Sequence, residues 1–321
     1  MQAIGLYQYG GPEVLRVLDL PEPHAGPGEV RVRVHAAAVN PSDTLLRAGV
    51  SAPFLEGSPP PWVPGMDVAG VIDEIGPGTD TDTDLTVGDA VMAMVIPLGT
   101  AAGGYAEQVV LPAARVVRAP AGIDHVAAST LPMNSLTALL ARDLLALSPG
   151  SVLAVTGAAG MLGGYLVQLA RHAGLTVVAD AAPTDEDLVR SLGAHVVVPR
   201  GADVTDHILA AFPDGVSAVA DTALIGPVLL DAVRDGGTYA RFRSPGEPGF
   251  KNVESVRGIR IAAVFVPEYT NRPDKLHEIL QLAEAGVLTP RVAATLPAAE
   301  APEAHRLLAK GGIRGRLVLT F

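Results

Sequence analysis

Three glycines near the middle of the chain have the spacing of a phosphate-binding turn. Gly157, Gly160 and Gly163 follow the apolar run 152–155, and a helical pattern over 165–170 comes directly after them. In such a strand–turn–helix unit, glycines let the backbone approach a pyrophosphate and the helix N-terminus offers it N–H groups. The sequence therefore predicts a dinucleotide site formed by the residues of this turn: Gly157, Ala158, Ala159, Gly160, Met161, Leu162 and Gly163.

Asp180 ends the next apolar segment, about 20 residues after the glycine turn. A carboxylate at this position favours a ribose 2′-hydroxyl and repels a 2′-phosphate. The segment 180–187 is acidic, and no Lys or Arg occurs in it before Arg190. These local charges indicate NADH as the dinucleotide.

Strands and helices alternate through the second half of the chain. Such alternation predicts a parallel sheet with helices on both faces, an α/β architecture. A final helical pattern occupies 273–285, and a last strand candidate occupies 316–319. The other strand candidates are 152–155, 176–179, 196–198, 218–220, 238–240 and 261–266, with helices predicted from Gly163 and near 185–192.

The first 122 residues have a different pattern. Short strand candidates are separated by Gly and Pro, and no helical stretch interrupts them. Many short strands of this kind predict a small barrel-like β domain. The first long helix is predicted after this segment, at 127–147. The strand candidates are 30–34, 68–75, 90–96, 109–111 and 116–117.

The composition limits the classes of protein that are possible. A length of 321 residues suffices for two domains, and 49% hydrophobic with 18% charged residues is typical of globular proteins. The net charge of −11 argues against nucleic-acid or anionic membrane partners. The chain has no cysteine, which is compatible with a reducing compartment. Because it also lacks a signal-peptide pattern and a run of about 18 apolar residues, we expect a cytoplasmic protein.

No metal site is predicted. The eight histidines are scattered, with no two at metal-ligand spacing. The alternating carboxylates Asp80, Asp82 and Asp84 resemble the start of a calcium loop. However, the sixth position of this segment is not glycine, and Val91 stands where a bidentate glutamate is needed. We interpret the segment as a solvated loop.

Seven segments, in order and spacing, resemble the medium-chain dehydrogenase/reductase superfamily, specifically its zinc-independent quinone oxidoreductase (zeta-crystallin-like) branch. The resemblance covers essentially the whole chain. The segments are GGPEVL at 10–15, AAVNPSD at 37–43, PGMDVAG at 64–70, VGD at 87–89, GYAE at 104–107, AA at 127–128 with TA at 137–138, and GR at 315–316.

The resemblance implies a GroES-like catalytic β-barrel domain, formed by 1–123 and 267–321, and a Rossmann domain over 124–266, with the active site in the cleft between them. It implies NAD(P)H-dependent reduction of a quinone or an α,β-unsaturated carbonyl, in which hydride adds to the β-carbon and the enolate is then protonated. Family habit favours NADPH and Asp180 favours NADH, so NADP(H) is favoured only slightly. Family members commonly dimerise through the Rossmann sheet, and strand 261–266 would otherwise leave an apolar edge, so we expect a homodimer.

The resemblance also nominates site residues. Asn40, Asp43 and Thr137 match positions near the nicotinamide, and Asn134, one turn before Thr137, is a candidate substrate contact. The alternative for Asn40 and Asp43 is a capping role in their turn, and for Thr137 a place on a helix surface. Further cofactor contacts are expected from Asp180, Arg200, Thr222, Phe265, Val266 and Arg316. For Thr222, Phe265 and Val266, ordinary packing at the sheet edge is an equally good explanation.

Leu45 departs from the family pattern. Many relatives have a tyrosine here, which can donate a proton, whereas leucine cannot. This departure keeps a second hypothesis open, a redox-neutral cyclase or isomerase on the same fold. A third, a non-enzymatic nucleotide or RNA binder, is disfavoured by the acidic charge.

Overall fold

The computed structural model describes residues 1–79, 84–98 and 102–321, which divide into two compact units. The first unit comprises Met1–Met133, Pro267–Gly286 and Pro290–Phe321, and the second comprises Asn134–Val266 and Val287–Thr289. Of the acidic alternation, Asp80 and Asp82 lie outside the described residues.

The strands are numbered in chain order. They are β1 (Gln2–Gly5), β2 (Arg16–Asp19), β3 (Glu29–Ala38), β4 (Asp67–Ile75), β5 (Ala90–Met94), β6 (Gln108–Pro112), β7 (Val116–Arg118), β8 (Val152–Thr156), β9 (Thr176–Ala181), β10 (Val196–Pro199), β11 (Val216–Asp221), β12 (Val233–Arg241), β13 (Arg260–Ala263), β14 (Val292–Pro297) and β15 (Arg316–Thr320).

The α-helices are numbered in the same way. They are α1 (Pro41–Arg47), α2 (His125–Ala128), α3 (Pro132–Leu145), α4 (Met161–His172), α5 (Glu186–Ser191), α6 (Val204–Ala211), α7 (Pro273–Glu284) and α8 (Ala301–Lys310). Within the described residues, no helix is long and apolar enough to cross a lipid bilayer.

The first unit is built around the long strand β3. This strand pairs antiparallel with β4, β6 and β15, in a sheet of order β14-β15-β3-β4-β5-β7. Val30, Val32 and Val34 point into the core, as their alternation with arginines predicts. The C-terminal strand β15 thus completes a sheet that the N-terminal segment begins.

The second unit contains a six-stranded parallel sheet of order β10-β9-β8-β11-β12-β13. The chain moves outward from β8 to β10 on one side and from β11 to β13 on the other. This is the doubly wound arrangement, and the predicted parallel sheet is confirmed. Buried aliphatic residues such as Val178 and Val219 lie in its core.

Three predicted elements were wrong in detail. The first 122 residues do contain a helix, α1, because its seven residues are too few for a period to register. The predicted helix 127–147 is broken between α2 and α3, since the ring of Pro132 cannot continue a helix from the preceding turn. The strand predicted at 261–266 ends at Ala263, and the chain continues into a 3₁₀ turn at Val266–Tyr269.

Candidate functional site

The glycine turn connects the carboxyl end of β8 to the start of α4. Gly157 has φ +68°, a conformation that L-residues with side chains rarely adopt. A Cβ on Gly163 would lie 2.3 Å from the carbonyl oxygen of Gly157, so any side chain there would separate the helix from the turn. Gly160 is the N-cap of α4. The first N–H groups of a helix lack intrahelical partners and are available to an anion.

The turn lies at the point where the order of the sheet reverses. Strands β8 and β11 are neighbours, and the connections that follow them run in opposite directions. In open parallel sheets, ligands bind beyond the carboxyl ends of the strands at this position. The geometry therefore places the glycine turn where a dinucleotide pyrophosphate binds in such folds.

Asp180 lies beside the glycine turn, near the end of β9. Its Oδ1 accepts hydrogen bonds from the backbone N–H groups of Gly157 (2.6 Å) and Ala158 (3.3 Å). Burial raises the pKa of Asp180, while these two donors and the nearby guanidinium of Arg200 oppose the rise. Arg200 itself is exposed. A carboxylate is thus held at the turn, with the guanidinium of Arg200 in its vicinity.

Asp221, at the end of β11, organises the opposite side of the turn. Its Oδ1 accepts from the Thr156 hydroxyl (2.8 Å) and the Ile225 N–H (3.0 Å). Its Oδ2 accepts from the Gly226 N–H (2.7 Å) and the Tyr239 hydroxyl (2.6 Å). Burial, and then the charge of Asp221, raise the pKa of Tyr239. These four donors hold the loop after β11 in one conformation.

The residues of the second unit fit a dinucleotide. The cradle formed by Gly157 and Gly163 has no space for a Cβ, the start of α4 faces the turn, and Asp180 supplies an acceptor for a ribose hydroxyl. Thr222 donates its hydroxyl to the carbonyl of Thr156 (2.5 Å) and so closes the floor of the turn.

A second group of polar side chains lies inside the first unit, where α1 begins. The Asp43 carboxylate accepts from the backbone N–H groups of Asn40 (2.8 Å) and Gly65 (3.1 Å) and from the Tyr105 hydroxyl (3.0 Å). Asp43 is 1% exposed, and this burial raises its pKa to about 7. The capping role considered for Asp43 is thus present, together with contacts that a cap does not need.

Asp67 holds the other side of this cluster. It accepts from the amide of Asn40 (2.9 Å), the backbone N–H of Met133 (2.6 Å) and the guanidinium of Arg316 (2.9 Å). Burial raises the pKa of Asp67, and the charge of Arg316 opposes that rise. Arg316, predicted to contact the cofactor, is 4% exposed and bound to a carboxylate of its own unit.

Tyr105 extends the cluster to α8. Its hydroxyl lies 3.0 Å from Asp43 Oδ2 and 3.2 Å from Nε2 of His305, a residue with no exposed surface. Burial, followed by the charge of Arg47, lowers the pKa of His305 to about 3. The histidine is therefore neutral at physiological pH and is a hydrogen-bonding group of the interior.

The predicted site residues fall into both units. Asn40, Asp43 and Arg316 lie in the first unit, whereas Asn134 (half-buried) and Thr137 (7% exposed) lie on α3 in the second. Phe265 is 43% exposed and Val266 is buried. Their contacts with cofactor or substrate stay predictions.

Sequence reasoning gave no role to several members of the two clusters. Asp67 and Tyr105 lie in two of the segments that resemble the family, and this position could have nominated them as site residues. His305 had none, because it meets Tyr105 across 200 residues of chain.

Two family models match the chain. The alcohol dehydrogenase GroES-like domain matches residues 26–121, and the zinc-binding dehydrogenase model matches residues 192–319. Although the second family model is that of a zinc-binding dehydrogenase, the described residues contain no group of three or more His, Cys, Asp or Glu side chains placed to hold a metal ion.

Curated relatives cover the chain from end to end. A 2-haloacrylate reductase from a Burkholderia species is 30% identical over 99% of the chain and 98% of its own length. The quinone oxidoreductase of Sus scrofa is 27% identical over 99% of the chain and 97% of its own length. The polyketide synthase component PikAII of Streptomyces venezuelae is 33% identical over 94% of the chain, which spans only 8% of that protein.

Solved structures agree with this relationship. An NAD-dependent alcohol dehydrogenase superposes with a TM-score of 0.88 at 30% identity, covering all of both chains. A mycobacterial protein in complex with NADPH gives a TM-score of 0.84 at 27% identity, also over the full length of both. The chain belongs to the medium-chain dehydrogenase/reductase superfamily, and within it to the zinc-independent quinone oxidoreductase branch.

Proposed function

We propose that the protein is an NAD(P)H-dependent oxidoreductase that reduces a quinone or an α,β-unsaturated carbonyl without zinc. The observation that carries this proposal is the glycine turn at the switch point of the sheet, with Asp180 held against its N–H groups. The reductase and quinone oxidoreductase relatives support the same class of reaction. The absence of cysteine from the sequence is compatible with a cytoplasmic location.

When bound, a reduced nicotinamide supplies hydride to an electron-poor carbon–carbon double bond. The residues of the chain bind and orient the two reactants. The glycine turn and the start of α4 would hold the pyrophosphate, and the Asp180 carboxylate would accept a hydrogen bond from a ribose hydroxyl. Asn40, Asp43, Asn134 and Thr137 remain the candidates for contacts around the substrate. Leu45 has no proton to donate, so protonation of the product carbon falls to solvent or to another group.

Acceptor-dependent oxidation of the cofactor tests this proposal. Purified protein is mixed with NADH or NADPH and with a quinone, a cyclic enone or an unsaturated acid, and loss of the reduced nicotinamide is followed by absorbance. We expect oxidation that depends on both protein and acceptor. Tight cofactor binding without turnover across a broad acceptor panel would contradict the reductase function. Binding of neither cofactor would favour the redox-neutral alternative.

We infer further that NADH is the preferred form, which reverses the slight expectation of NADPH drawn from the family resemblance. The Asp180 carboxylate is anchored by two N–H donors and cannot easily rotate away from an incoming 2′-phosphate. The next two residues, Ala181 and Ala182, offer no phosphate donor in their side chains. Arg200, the nearby base, is exposed to solvent, where its charge is screened.

Titration with the two cofactors, followed by nicotinamide fluorescence, tests this preference. We expect NADH to bind about tenfold more tightly than NADPH, and Asp180→Ser to remove most of that difference. The matched control is Asp187→Ser, an exposed acid of the same segment, which should leave the ratio unchanged. Tighter binding of NADPH, lost in Arg200→Gln, would instead assign a phosphate contact to Arg200.

We also propose a homodimer that joins two copies of the second unit's sheet at β13. This strand lies at the edge of the sheet, and no further strand of the described residues pairs with its outer side. With a net charge of −11, nucleic acid and anionic membranes are not expected partners.

A further inference from the structure

Three buried polar side chains of the first unit form a continuous hydrogen-bonded path. The hydroxyl oxygen of Tyr105 lies 3.0 Å from Oδ2 of Asp43 and 3.2 Å from Nε2 of His305. All three side chains are buried, and they come from distant parts of the chain: Asp43 from α1, Tyr105 from the segment before β6, and His305 from α8. Because burial excludes competing water, the path connects α8 to the start of α1 through the protein interior.

The proton positions along this path follow from the partners of each group. Both oxygens of Asp43 accept backbone N–H groups, Oδ2 from Asn40 and Oδ1 from Gly65. An ionised carboxylate has no proton, so the Tyr105 hydroxyl must donate to it. The Tyr105 oxygen then accepts from the neutral imidazole of His305, whose proton is on Nε2. The lone pair of that imidazole is left on Nδ1.

The Nδ1 atom of His305 is buried and has no hydrogen-bond partner among the described residues. A buried acceptor without a donor is unfavourable, and such an exception calls for a physical reason. Proton uptake is one such reason. An imidazole can bind a proton at one nitrogen and release the proton of the other, which makes histidine a proton shuttle. This nitrogen is therefore the free end of the path.

Protonation of Asp43 reverses every hydrogen bond of the path. The new proton lies on Oδ2 and points to the Tyr105 oxygen, because the other partners of the carboxyl group are N–H donors. The Tyr105 hydroxyl then donates to Nε2 of His305, and the imidazole proton is on Nδ1. The two states differ by one bound proton and by the tautomer of the histidine.

The groups around Asp43 keep both states accessible near neutral pH. Burial raises its pKa to about 7, and the like charge of Asp67 on β4 acts in the same direction. The hydrogen bonds from Asn40 and Tyr105 and the charge of Arg316 on β15 oppose this rise. The Asp43 carboxyl is therefore the group of the path that gains or loses a proton near neutral pH.

The other two groups of the path cannot keep a proton or lose one for long. Burial, followed by the charge of Arg47 on α1, lowers the pKa of His305 to about 3, so its imidazole is neutral in both states. Burial raises the pKa of Tyr105 well above its ordinary value, so its phenol also stays neutral. A proton that enters at His305 is thus held only at Asp43.

We propose that Asp43, Tyr105 and His305 form a proton wire, which carries a proton from Nδ1 of His305 to the Asp43 carboxylate. An N–H bond to a proton from the solvent forms at Nδ1, while the N–H bond at Nε2 breaks and its proton moves to the Tyr105 oxygen. The hydroxyl proton of Tyr105 moves to Oδ2 of Asp43. One proton is taken up, and no group is oxidised or reduced.

The wire supplies a store for the proton that the reduction consumes, a use that rests on the proposed function. Hydride addition leaves an enolate that takes up one proton, and the side chain of Leu45 cannot supply it. The family resemblance places Asp43 near the nicotinamide. A carboxyl group that holds its proton near the working pH is suited to general acid catalysis.

Nitrogen NMR of labelled histidine tests the wire without substrate or cofactor. The nitrogen shifts show which ring atom of His305 has the proton, and the signal is assigned by its absence from His305→Gln. We expect the Nε2–H form at about pH 8.5 and the Nδ1–H form at about pH 5.5, with the ring neutral throughout. The midpoint should be about 7, the pKa of Asp43. A single tautomer over this range, or a charged ring at its acid end, would overturn the inference.

Tyr105→Phe breaks the wire at its centre. The tautomer of His305 should then stay constant with pH, while the protonated carboxyl of Asp43 is still seen in infrared difference spectra. Its midpoint should move to higher pH, because the bond from Tyr105 favours the ionised form. The matched control is Tyr7→Phe, at a tyrosine that is 60% exposed, which should change neither signal. If Tyr105→Phe does not fold, Asp43→Asn must abolish the tautomer change, and its persistence in either folded variant would overturn the wire.

Turnover tests the use of the stored proton. With an enone and saturating reduced cofactor, kcat of the wild type should fall as pH rises through about 7, since Asp43 then has no proton. Tyr105→Phe should lower kcat about 10-fold and change KM less than about twofold. Unchanged kcat in this variant would overturn the role of the wire in the reaction. Absence of cofactor oxidation with every acceptor would instead contradict the proposed function, and the NMR result on the wire stands apart from it.

Discussion

At the scale of single residues, the interior of the first unit holds a carboxyl and an imidazole with opposite pKa shifts. Burial raises the pKa of Asp43 from 3.8 to about 7, so its contribution to stability is complete at low pH and is lost as pH rises through 7. Burial lowers the pKa of His305 from 6.5 to about 3, so its contribution is complete above 6.5 and is lost as pH falls toward 3. Tyr105 lies between the two groups, and their pH effects oppose each other.

This opposition gives a prediction for His305→Gln. Between pH 6.5 and 4.5 the wild-type protein loses the stability of its neutral histidine, and the variant has no such loss. The free energy of unfolding of the wild type, minus that of the variant, should therefore fall by about 1 kcal/mol per pH unit on acidification. Urea unfolding at the two pH values measures it.

The control for that measurement is His207→Gln, which removes an exposed histidine on α6. A surface change of this kind should stay within about 0.5 kcal/mol at both pH values. The prediction is wrong if the difference in free energy of unfolding between the wild type and His305→Gln stays constant with pH. That result would show that the imidazole of His305 can take up a proton in the folded protein.

The sequence could predict the residues whose roles are local. The glycine turn and Asp180 were predicted because a strand, a turn and a helix that are adjacent in the chain define them. The pairing of Arg316 with Asp67 could not be found in this way, since 249 residues separate them. Contacts of this range depend on the closed tertiary structure, and no spacing rule in the sequence encodes them.

At the scale of elements, the packing of α4 against the glycine turn depends on the missing side chain of Gly163. Its Cβ would meet only backbone atoms, at 2.3, 2.8 and 2.9 Å, and backbone cannot move aside as a flexible side chain can. We predict that Gly163→Ala lowers the free energy of unfolding by about 1–3 kcal/mol and abolishes measurable NADH binding. Chemical denaturation and fluorescence titration measure the two effects.

Gly26→Ala serves as the control for the added methyl group. Its Cβ would meet only the end of the Glu29 side chain, at 3.2 Å, so the neighbour can shift. Normal NADH binding by Gly163→Ala would mean that α4 does not need its close approach to the turn.

The elements that sequence patterns missed share a physical cause. Helix α1 has seven residues, and its start signals, Asn40, Pro41 and Asp43, are also those of a turn. Strand β13 is shorter than the apolar run 261–266 because its pairing with β12 ends at the N–H of Val264, after which the chain turns into the 3₁₀ segment that begins at Val266. The length of an element and the strand with which it pairs depend on the tertiary structure. The hydrophobic periods of the longer strands and helices are local, so the sequence shows them.

At the scale of the whole molecule, the alternation of strands and helices predicted the doubly wound sheet, but no local pattern predicted that the chain returns to its first unit. Strand β15 pairs with β3 through Val318 and Ala38, which lie far apart in sequence. Only the family resemblance implied that 267–321 completes the domain begun by 1–123. The sheet of the first unit is thus a product of long-range pairing.

The proposed dimer depends on the outer edge of β13, where a second copy would pair. The N–H of Val264 donates inward to Arg241 (2.9 Å), so by alternation the N–H groups of Ile261 and Ala263 point outward. An edge of this kind pairs readily with a second copy. We predict that light scattering at micromolar concentration gives twice the chain mass of 32.9 kDa.

Ala263→Pro tests this assembly at a single bond. Proline removes one outward donor and leaves the bonds to β12 intact, so it should convert the dimer to a monomer without unfolding the sheet. Circular dichroism checks that the fold is kept. The control is Ala263→Ser, which retains the N–H and should remain dimeric. A monomeric wild type would contradict the proposal, and a dimeric Ala263→Pro variant would place the contact elsewhere on the surface.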